Sequence, residues 1–322
     1  MRVVVAERQG GPEVLSVAER PAPEPGEGEV LVEVAAAGVN FMDIYQREGI
    51  GNYRRETPFI PGAEGAGTVT ALGRAVTGLA VGDRVAWAGA GGSYAEQVVV
   101  HASRAVPVPA GISLQVAAAV ILQGLTAHYL VTSTYPVRDG DITVVHAAAG
   151  GVGLLLTQLI CRRGGIVVAT TSGGEKADLA RAAGAGYVSG YDDFRDAVAA
   201  ASAGAGADVV YDGVGKDTFD DSLAALRPRG MMVLYGAASG QVPPFDLQRL
   251  NSGGSLFVTR PTLAHYVASV DELRWRAGEL FGLVADGELD VRIGGSYALA
   301  DAARAQEDLA ARRTTVKLLL VP

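Results

Sequence analysis

The chain has 322 residues, of which 49% are apolar, and a formal net charge of −8 at pH 7. This length favours two domains, and the apolar fraction excludes a disordered chain. No cluster of Lys and Arg marks a nucleic-acid surface. Cys161 is the only cysteine, which excludes an intrachain disulfide and a multi-cysteine zinc lobe, and we assign it to core packing. We see neither a signal-peptide layout nor an uncharged apolar stretch approaching about 18 residues, and therefore expect a soluble cytoplasmic protein.

Short strands and turns fill the first part of the chain. Two strands flank the turn at 10–12, and a Pro/Gly/Glu-rich linker over 21–28 leads into a period-two strand at 29–35. Further short apolar stretches follow Gly-rich turns, at 68–72, 85–87 and 94–100. This texture predicts a compact β-barrel-like domain that continues to about residue 109. Helical periodicity then appears over 114–132.

Strands and helices alternate regularly from residue 141 to about 260. We predict strands at 142–146, 166–170, 186–189, 208–211, 231–235 and 255–259. Helices are predicted at 152–163, 175–183, 193–201 and 217–226. This alternation predicts a doubly wound parallel sheet with helices on both faces.

The last sixty residues do not continue this alternation. Helical stretches at 267–286 and 300–311 precede a final strand at 316–321. We expect this tail to return to the first domain. The predicted domains are therefore 1–124 with 261–322, and an inserted nucleotide-binding domain at 125–260.

A turn of small residues follows the first strand of the predicted parallel sheet. Gly150 and Gly153 stand where a dinucleotide fingerprint has glycines, and Ala148 replaces the usual first glycine. Small residues allow a tight turn and a close approach to a pyrophosphate, which the N-terminus of the next helix would attract. An ordinary strand-to-helix turn is the alternative interpretation.

The end of the second strand carries no acidic residue that would bind the ribose hydroxyls of NAD. Ser172 and Lys176 follow instead, and a hydroxyl and an ammonium suit a 2′-phosphate, which favours NADP. Glu175 lies between them and argues against this. The alternative is that Ser172 caps a helix and Lys176 is a solvated helix residue.

The carboxyl ends of two further strands offer more candidates, because ligands bind at these ends in open α/β sheets. These candidates are the stretches 211–215 and 234–236, and 211–215, after the fourth strand, would form a wall beside the nicotinamide. A routine turn is the alternative.

Taken together, these motifs resemble the medium-chain dehydrogenase/reductase superfamily and, within it, the zinc-free quinone oxidoreductases of the zeta-crystallin type. The resemblance covers essentially the whole chain and implies a doubly wound Rossmann sheet inserted into a discontinuous, partly β-barrel, GroES-like catalytic domain. It is carried by the stretches at 10–15, 37–43, 61–67, 124–127, 146–153 with Gln158, and 258–261.

Zinc-dependent relatives place Cys and His at the positions of Asn40 and Ala63 in this chain. Catalytic zinc needs about three protein ligands, which Glu64 alone cannot supply, so we predict no metal. The resemblance implies that Asn40, Tyr45 and Gln123 act beside the acceptor, with Tyr53 as a further lining residue. Gln123 stands where some relatives have Lys.

The resemblance also implies the residues that bind NADP(H). They are Asn40, Asp43, Thr126, Gly150, Gly151, Val152, Ser172, Lys176, Tyr191, Val214, Tyr235, Gly236, Ala237, Phe257, Val258, Thr259 and Arg312. Asp43 has a structural role as its alternative. The C-terminal sequence departs from the common family pattern, which leaves the roles of Arg312 and Lys317 open.

The resemblance implies NADPH-dependent reduction of quinones without metal. A reductase of activated C=C bonds, such as enones or enoyl thioesters, is the first alternative. A non-catalytic NADPH-binding or RNA-binding crystallin-like protein is the second, although the negative net charge argues against RNA. Family members dimerise through the edge strand of the sheet, which corresponds to 255–259 here.

Overall fold

The computed structural model describes residues 1–322 and divides into two compact units. The first unit comprises Met1–Leu125 and Val267–Pro322, and the second comprises Thr126–Tyr266. The second unit is therefore an insertion between two segments that belong together.

The N-terminal part of the first unit is built from β-strands. They are β1 (Arg2–Ala6), β2 (Leu15–Glu19), β3 (Glu29–Val39), β4 (Glu64–Leu72), β5 (Arg84–Ala88), β6 (Gln97–His101) and β7 (Val106–Pro107). The long strand β3 pairs antiparallel with both β4 and β6, while β1 and β2 form a separate antiparallel pair. Val30, Val32 and Val34 of β3 pack with Trp87 and Tyr94 in one buried cluster. Their spacing of two residues is that of a strand with one face in the core.

A helix that was not expected from the sequence follows β3. Helix α1 (Phe41–Glu48) lies in the region for which strands and turns were predicted, so that prediction was wrong here. Asn40 and Asp43 form a capping box at its N-terminus, which satisfies backbone N–H groups that the first turn leaves unpaired. Gly49, with φ of 71°, ends the helix in the left-handed conformation that glycine adopts without strain.

Helix α2 (Leu114–Tyr129) continues into a π-helical turn at Leu130–Thr134. The combined helix is 21 residues long and apolar enough to cross a membrane, so the statement that no such stretch approaches this length was wrong. The most apolar 18 residues of this helix are 67% buried inside the fold, as in the core helix of a soluble protein. Burial against protein explains its composition without a bilayer.

The second unit contains a six-stranded, all-parallel sheet. Its strands are β8 (Ile142–Val145), β9 (Ile166–Thr170), β10 (Tyr187–Ser189), β11 (Ala207–Asp212), β12 (Leu226–Leu234) and β13 (Phe257–Thr259). Their order in the sheet is β10-β9-β8-β11-β12-β13, so the direction of winding reverses between β8 and β11. Parallel strands that are joined by helices and reverse their order in this way form a doubly wound sheet, so the prediction is confirmed.

Six helices connect or follow these strands. They are α3 (Gly151–Arg162), α4 (Glu175–Ala182), α5 (Phe194–Ala201), α6 (Phe219–Ala224), α7 (Gln248–Ser252) and α8 (Leu263–Tyr266). The first four match the predicted helices within about two residues. Helix α7 was not predicted, and β12 begins five residues earlier than expected.

The C-terminal segment completes the first unit. It contains α9 (Val270–Ala285), β14 (Ile293–Ala298), α10 (Ala302–Ala310) and β15 (Lys317–Val321). Strand β15 pairs antiparallel with β3 and parallel with β14, which confirms that the tail returns to the N-terminal domain. Strand β14 was not predicted.

Candidate active site and nucleotide-binding turn

In the first unit, Asn40 lies at the junction of β3 and α1 and is almost fully buried. Its Nδ2 donates to Oε1 of Glu64 at 2.6 Å, and its Oδ1 accepts from Nζ of Lys317 at 3.0 Å. Gln123 on α2 approaches the same Oδ1 at 3.5 Å. Two of the three predicted catalytic residues, Asn40 and Gln123, are therefore brought together.

A buried ion pair supports this asparagine. The side chains of Lys317 and Glu64 are 2% and 0% exposed and in direct contact. Glu64 Oε2 also accepts from the backbone N–H of Leu122 at 3.0 Å, and Lys317 also donates to the carbonyl of Val39 at 3.3 Å. Lys317 begins β15, so the return of the C-terminal strand to β3 brings the ammonium here.

Asp43 lies in the first turn of α1 and is completely buried. Its Oδ2 accepts from the backbone N–H of Asn40 at 2.9 Å and from the hydroxyl of Tyr94 at 3.0 Å, while Oδ1 has no hydrogen-bond partner. Burial raises the pKa of Asp43 to about 7, against the lowering effect of the two hydrogen bonds and of Lys317. These contacts favour the structural alternative for Asp43 over contact with a cofactor.

The predicted catalytic Tyr45 lies one turn into α1 within an aromatic group. Its ring centroid is 5.4 Å from that of Tyr53 and 6.3 Å from that of Phe41. The three rings form a partly exposed apolar wall. Tyr45 and Tyr53, both singled out from the sequence, are thus neighbours.

In the second unit, the small-residue turn lies between β8 and α3. Ala147 has a φ of 51°, and Gly150 precedes the first helical residue. A Cβ on Gly153 would lie 2.4 Å from the carbonyl oxygen of Ala147, so only glycine fits where α3 crosses the turn. The N–H groups of Gly151 and Val152 open the helix, and a helix leaves its first N–H groups without internal partners. Such a turn fits the pyrophosphate of a dinucleotide.

His146 is buried beneath this turn and has partners for both ring nitrogens. Nδ1 lies 2.9 Å from Oγ1 of Thr170, and Nε2 lies 2.9 Å from Oγ of Ser222. Ser222 donates its own proton to the carbonyl of Thr218 at 2.7 Å, so we assign the proton to Nε2 of His146. Burial lowers the pKa of His146, which keeps the ring neutral. The imidazole thus links the carboxyl ends of β8 and β9 to the middle of α6.

The loop after β11 is shaped by Asp212. Its Oδ1 accepts from the backbone N–H groups of Val214 at 2.7 Å and Gly215 at 2.9 Å. The ring of Tyr235, one residue beyond β12, packs so closely on Gly213 that a Cβ there would lie 2.9 Å from it. The carboxyl ends of β11 and β12 therefore bring the predicted cofactor residues of these two loops together.

The loop between β9 and α4 carries the residues predicted to bind the 2′-phosphate. Gly174, with a φ of 57°, precedes α4, and no side chain caps this helix. The alternative role of Ser172 as a helix cap is therefore wrong. Ser172 is exposed, and Lys176 is half-buried in the first turn of α4. Ser172, the exposed Glu175 and Lys176 thus lie within one short stretch that leads from β9 into α4.

The remaining predicted residues are spread over both units. In the second unit Thr126 is buried on α2, Tyr191 is stacked 6.0 Å from the ring of His146, and Phe257 and Val258 are exposed on β13. Thr259, Gly236 and Ala237 are half-buried. In the first unit Arg312 is exposed in the turn after α10, outside the cluster around Asn40.

Sequence reasoning missed several members of the polar clusters around Asn40 and around His146. Tyr94 and Ser222 belong to no recognised motif, and the role of Lys317 was left open. The residue types gave one signal: a chain with 24 arginines uses only three lysines, and one of them lies in an apolar final strand. The structure contains no group of three or more His, Cys, Asp or Glu arranged to hold a metal ion.

Comparison with known proteins identifies the family to which this architecture belongs. Residues 26–110 match the alcohol dehydrogenase GroES-like domain, and residues 151–271 match the family described as zinc-binding dehydrogenase. The chain is 45% identical to a quinone oxidoreductase of Pseudomonas aeruginosa, over 97% of each chain. It is 37% identical to a 2-haloacrylate reductase of Burkholderia sp., over 99% of this chain and 98% of the relative.

Among solved structures, Escherichia coli quinone oxidoreductase complexed with NADPH superimposes with a TM-score of 0.97. It is 39% identical, and the match covers 100% of both chains. The fold and the two sites therefore define a medium-chain dehydrogenase/reductase, with a GroES-like unit and a Rossmann-like unit. Within that superfamily the chain belongs to the quinone oxidoreductases, and the family resemblance seen in the sequence is confirmed.

Proposed function

We propose that this protein reduces quinones with NADPH. The observation that carries the proposal is the turn at 147–153, where Gly153 lets α3 approach the turn closely and the first N–H groups of α3 would bind a phosphate. The relatives named quinone oxidoreductase, one of them complexed with NADPH, support both the cofactor and the substrate class. When bound, NADPH supplies the reducing equivalents.

The second unit is proposed to be the nucleotide-binding domain. Gly150, Gly151 and Val152 would bind the pyrophosphate through backbone N–H groups. Ser172 and Lys176 would bind the 2′-phosphate, because the buried end of β9 offers hydroxyls rather than a carboxylate. Val214, Tyr235 and the neighbouring loops would hold the nicotinamide half.

The first unit is proposed to be the catalytic domain. Asn40 and Gln123 supply amide groups, and the ring of Tyr45 supplies an apolar wall with a hydroxyl. A quinone is an electron-poor acceptor, so orientation against the cofactor accounts for much of the rate. Asp43 is assigned to holding α1 instead of touching the cofactor.

The test is NADPH oxidation, followed by its absorbance, with 1,4-benzoquinone and 9,10-phenanthrenequinone. We expect turnover of both quinones, with NADPH used in preference to NADH. A protein that binds NADPH but turns over neither quinone would contradict the proposal. An enone in the same assay serves as the comparison substrate.

Reduction of activated C=C bonds is the second candidate function. The 2-haloacrylate reductase relative favours it, and the hydroxyls of Tyr45 and Tyr53 are possible proton donors to the α-carbon. A kcat/KM for the enone or for 2-chloroacrylate above that for both quinones would place this function first.

We also propose that the protein is a cytoplasmic homodimer. Phe257 and Val258 expose 55% and 38% of their surface on β13, the edge strand of the parallel sheet. Pairing this strand with its copy would cover an apolar edge.

A further inference from the structure

Lys317 is the only one of the three lysines whose side chain lies in the core. An ammonium group has three N–H donors. All three acceptors are present: the carbonyl of Val39, Oδ1 of Asn40 and Oε1 of Glu64. Lys317 therefore has no donor left for a ligand, and a direct role in phosphate binding is not available to it.

Glu64 is engaged in the same way. Its Oε1 accepts from Asn40 and Lys317, and its Oε2 accepts from the backbone N–H of Leu122. The carboxylate is 0% exposed, so its contacts are all within the protein. Glu64 and Lys317 are thus a fixed, directly paired carboxylate and ammonium, and each of them contacts one atom of the Asn40 amide.

This pair allows the amide of Asn40 only one orientation. Its oxygen faces the ammonium and its nitrogen faces the carboxylate. Rotating the amide by half a turn would bring oxygen against the Glu64 carboxylate and N–H groups against the Lys317 ammonium, and both contacts are repulsive. One Nδ2–H is bonded to Glu64, and the other has no partner within the chain.

Resting on the proposed function, we propose that Lys317 and Glu64 are positioning residues for Asn40. They hold its amide so that the remaining Nδ2–H donates to a carbonyl oxygen of the bound reactants. That oxygen belongs either to the carboxamide of the nicotinamide or to the quinone. Neither Lys317 nor Glu64 touches the reactants.

The test uses a charge-neutral double variant, Lys317→Met with Glu64→Gln, because removing only one charge would leave the other buried and unpaired. The double variant is made both in the natural chain and in an Asn40→Ala background. The matched control is Arg276→Met with Glu272→Gln, which removes another ion pair whose arginine is buried. Circular dichroism and the midpoint of urea unfolding check that each protein is folded.

We expect the double variant to lower kcat/KM for 1,4-benzoquinone at least about tenfold when Asn40 is present and less than about twofold when it is Ala. The control pair should change kcat/KM by less than about twofold. Equal losses in both backgrounds would mean that the pair does not act through Asn40 and would overturn the proposal.

Binding of NADPH distinguishes the two possible carbonyls. If the Kd for NADPH rises together with the loss of kcat/KM, the Nδ2–H binds the carboxamide. If the Kd is unchanged and the loss appears in the quinone kinetics alone, the Nδ2–H binds the quinone. No change in either quantity overturns the proposal.

The orientation of Asn40 is also measured without turnover. The chain has only three asparagines, Asn40, Asn52 and Asn251, so selective ¹⁵N labelling resolves their side-chain amides by NMR. We expect the two Nδ2 protons of Asn40 to exchange with solvent at very different rates, and this difference to disappear in the double variant. An Asn40 amide that exchanges alike in both proteins overturns the proposal. Failure of quinone turnover with this difference intact refutes only the proposed substrate.

Discussion

Lys176 is the residue on which the choice between the two nicotinamide cofactors depends. It lies in the first turn of α4, next to the exposed Ser172 loop. A charge-assisted hydrogen bond to a phosphate contributes about 1.5–3 kcal/mol, which corresponds to a tenfold or greater change in affinity. We expect Lys176→Ala to raise the Kd for NADPH about tenfold and to leave the Kd for NADH within about twofold, as measured by fluorescence titration.

The matched control for this prediction is Arg181→Ala. Arg181 is also a cation on α4, but it pairs with Asp178 at the C-terminal end of the helix. Its removal changes the net charge equally, so a similar loss of NADPH affinity in both variants would show a general field effect. Equal losses for NADPH and NADH would rule out contact between Lys176 and the 2′-phosphate.

Asp43 makes the stability of the protein depend on pH. Its pKa is about 7 in the folded protein and near 3.8 in an unfolded chain, because burial disfavours the carboxylate. Between these values the unfolded chain loses the proton while the folded protein keeps it, so the stability from this group falls as pH rises from about 4 to 7. Asp43→Asn removes the titration and keeps an oxygen acceptor for Tyr94.

The expected result is that Asp43→Asn gains stability relative to the natural chain as pH rises from 4 to 8. The gain should be at most about 4 kcal/mol, since each pKa unit corresponds to about 1.4 kcal/mol. Urea unfolding at both pH values measures it. Asp178→Asn, on an exposed side chain, should show no such pH-dependent gain, and a flat difference for Asp43→Asn would contradict the raised pKa.

At the scale of elements, the contact between the turn and α3 depends on Gly153. Gly153→Ala would push a methyl group against the backbone of Ala147 and Ala148. We expect it to lower the free energy of unfolding by about 1–3 kcal/mol and to weaken NADPH binding, because the turn must move. Gly278→Ala in α9 meets nothing within 4 Å and should stabilise by about 0.5–1 kcal/mol. Equal effects of the two substitutions would show that the contact is not tight.

The elements of the second unit could be predicted because each is marked locally. Apolar stretches of β-branched residues gave the strands, and the interval between them gave the helices α3 to α6. Helix α1 was missed although Asn40 and Asp43 have capping-box spacing, because the preceding stretch reads as continuing strand and turn. Strand β14 was missed because two of its six residues are glycines, which are rare in strands.

The cluster around Asn40 could be predicted only in part. Asn40 and Gln123 follow from family motifs, but the contact between Glu64 and Lys317 joins residues 253 positions apart. It exists because β15 pairs with β3, and no local pattern sets that register. The same holds for His146 and Ser222, which meet only after α6 has packed on the sheet.

At the scale of the whole molecule, the C-terminal strand β15 completes the sheet and the core of the first unit. The buried β15 residues Leu318 and Leu320 join the valines of β3 in one core cluster. The inserted unit is continuous in sequence, whereas the first unit can fold only after two segments distant in the sequence have come into contact. Long-range pairing of this kind slows folding because loop closure precedes the favourable contacts.

The exposed edge of the parallel sheet gives the last prediction. Strand β13 pairs with β12 on one side only, and Phe257 and Val258 leave apolar surface on the strand. A lysine at such an edge opposes pairing with a second copy, since two like charges would meet across the two-fold axis. Light scattering after gel filtration should therefore give twice 33.1 kDa for the natural chain and 33.1 kDa for Val258→Lys. Val81→Lys, at a position 62% exposed in the first unit, should remain dimeric, and a dimeric Val258→Lys would place the interface elsewhere.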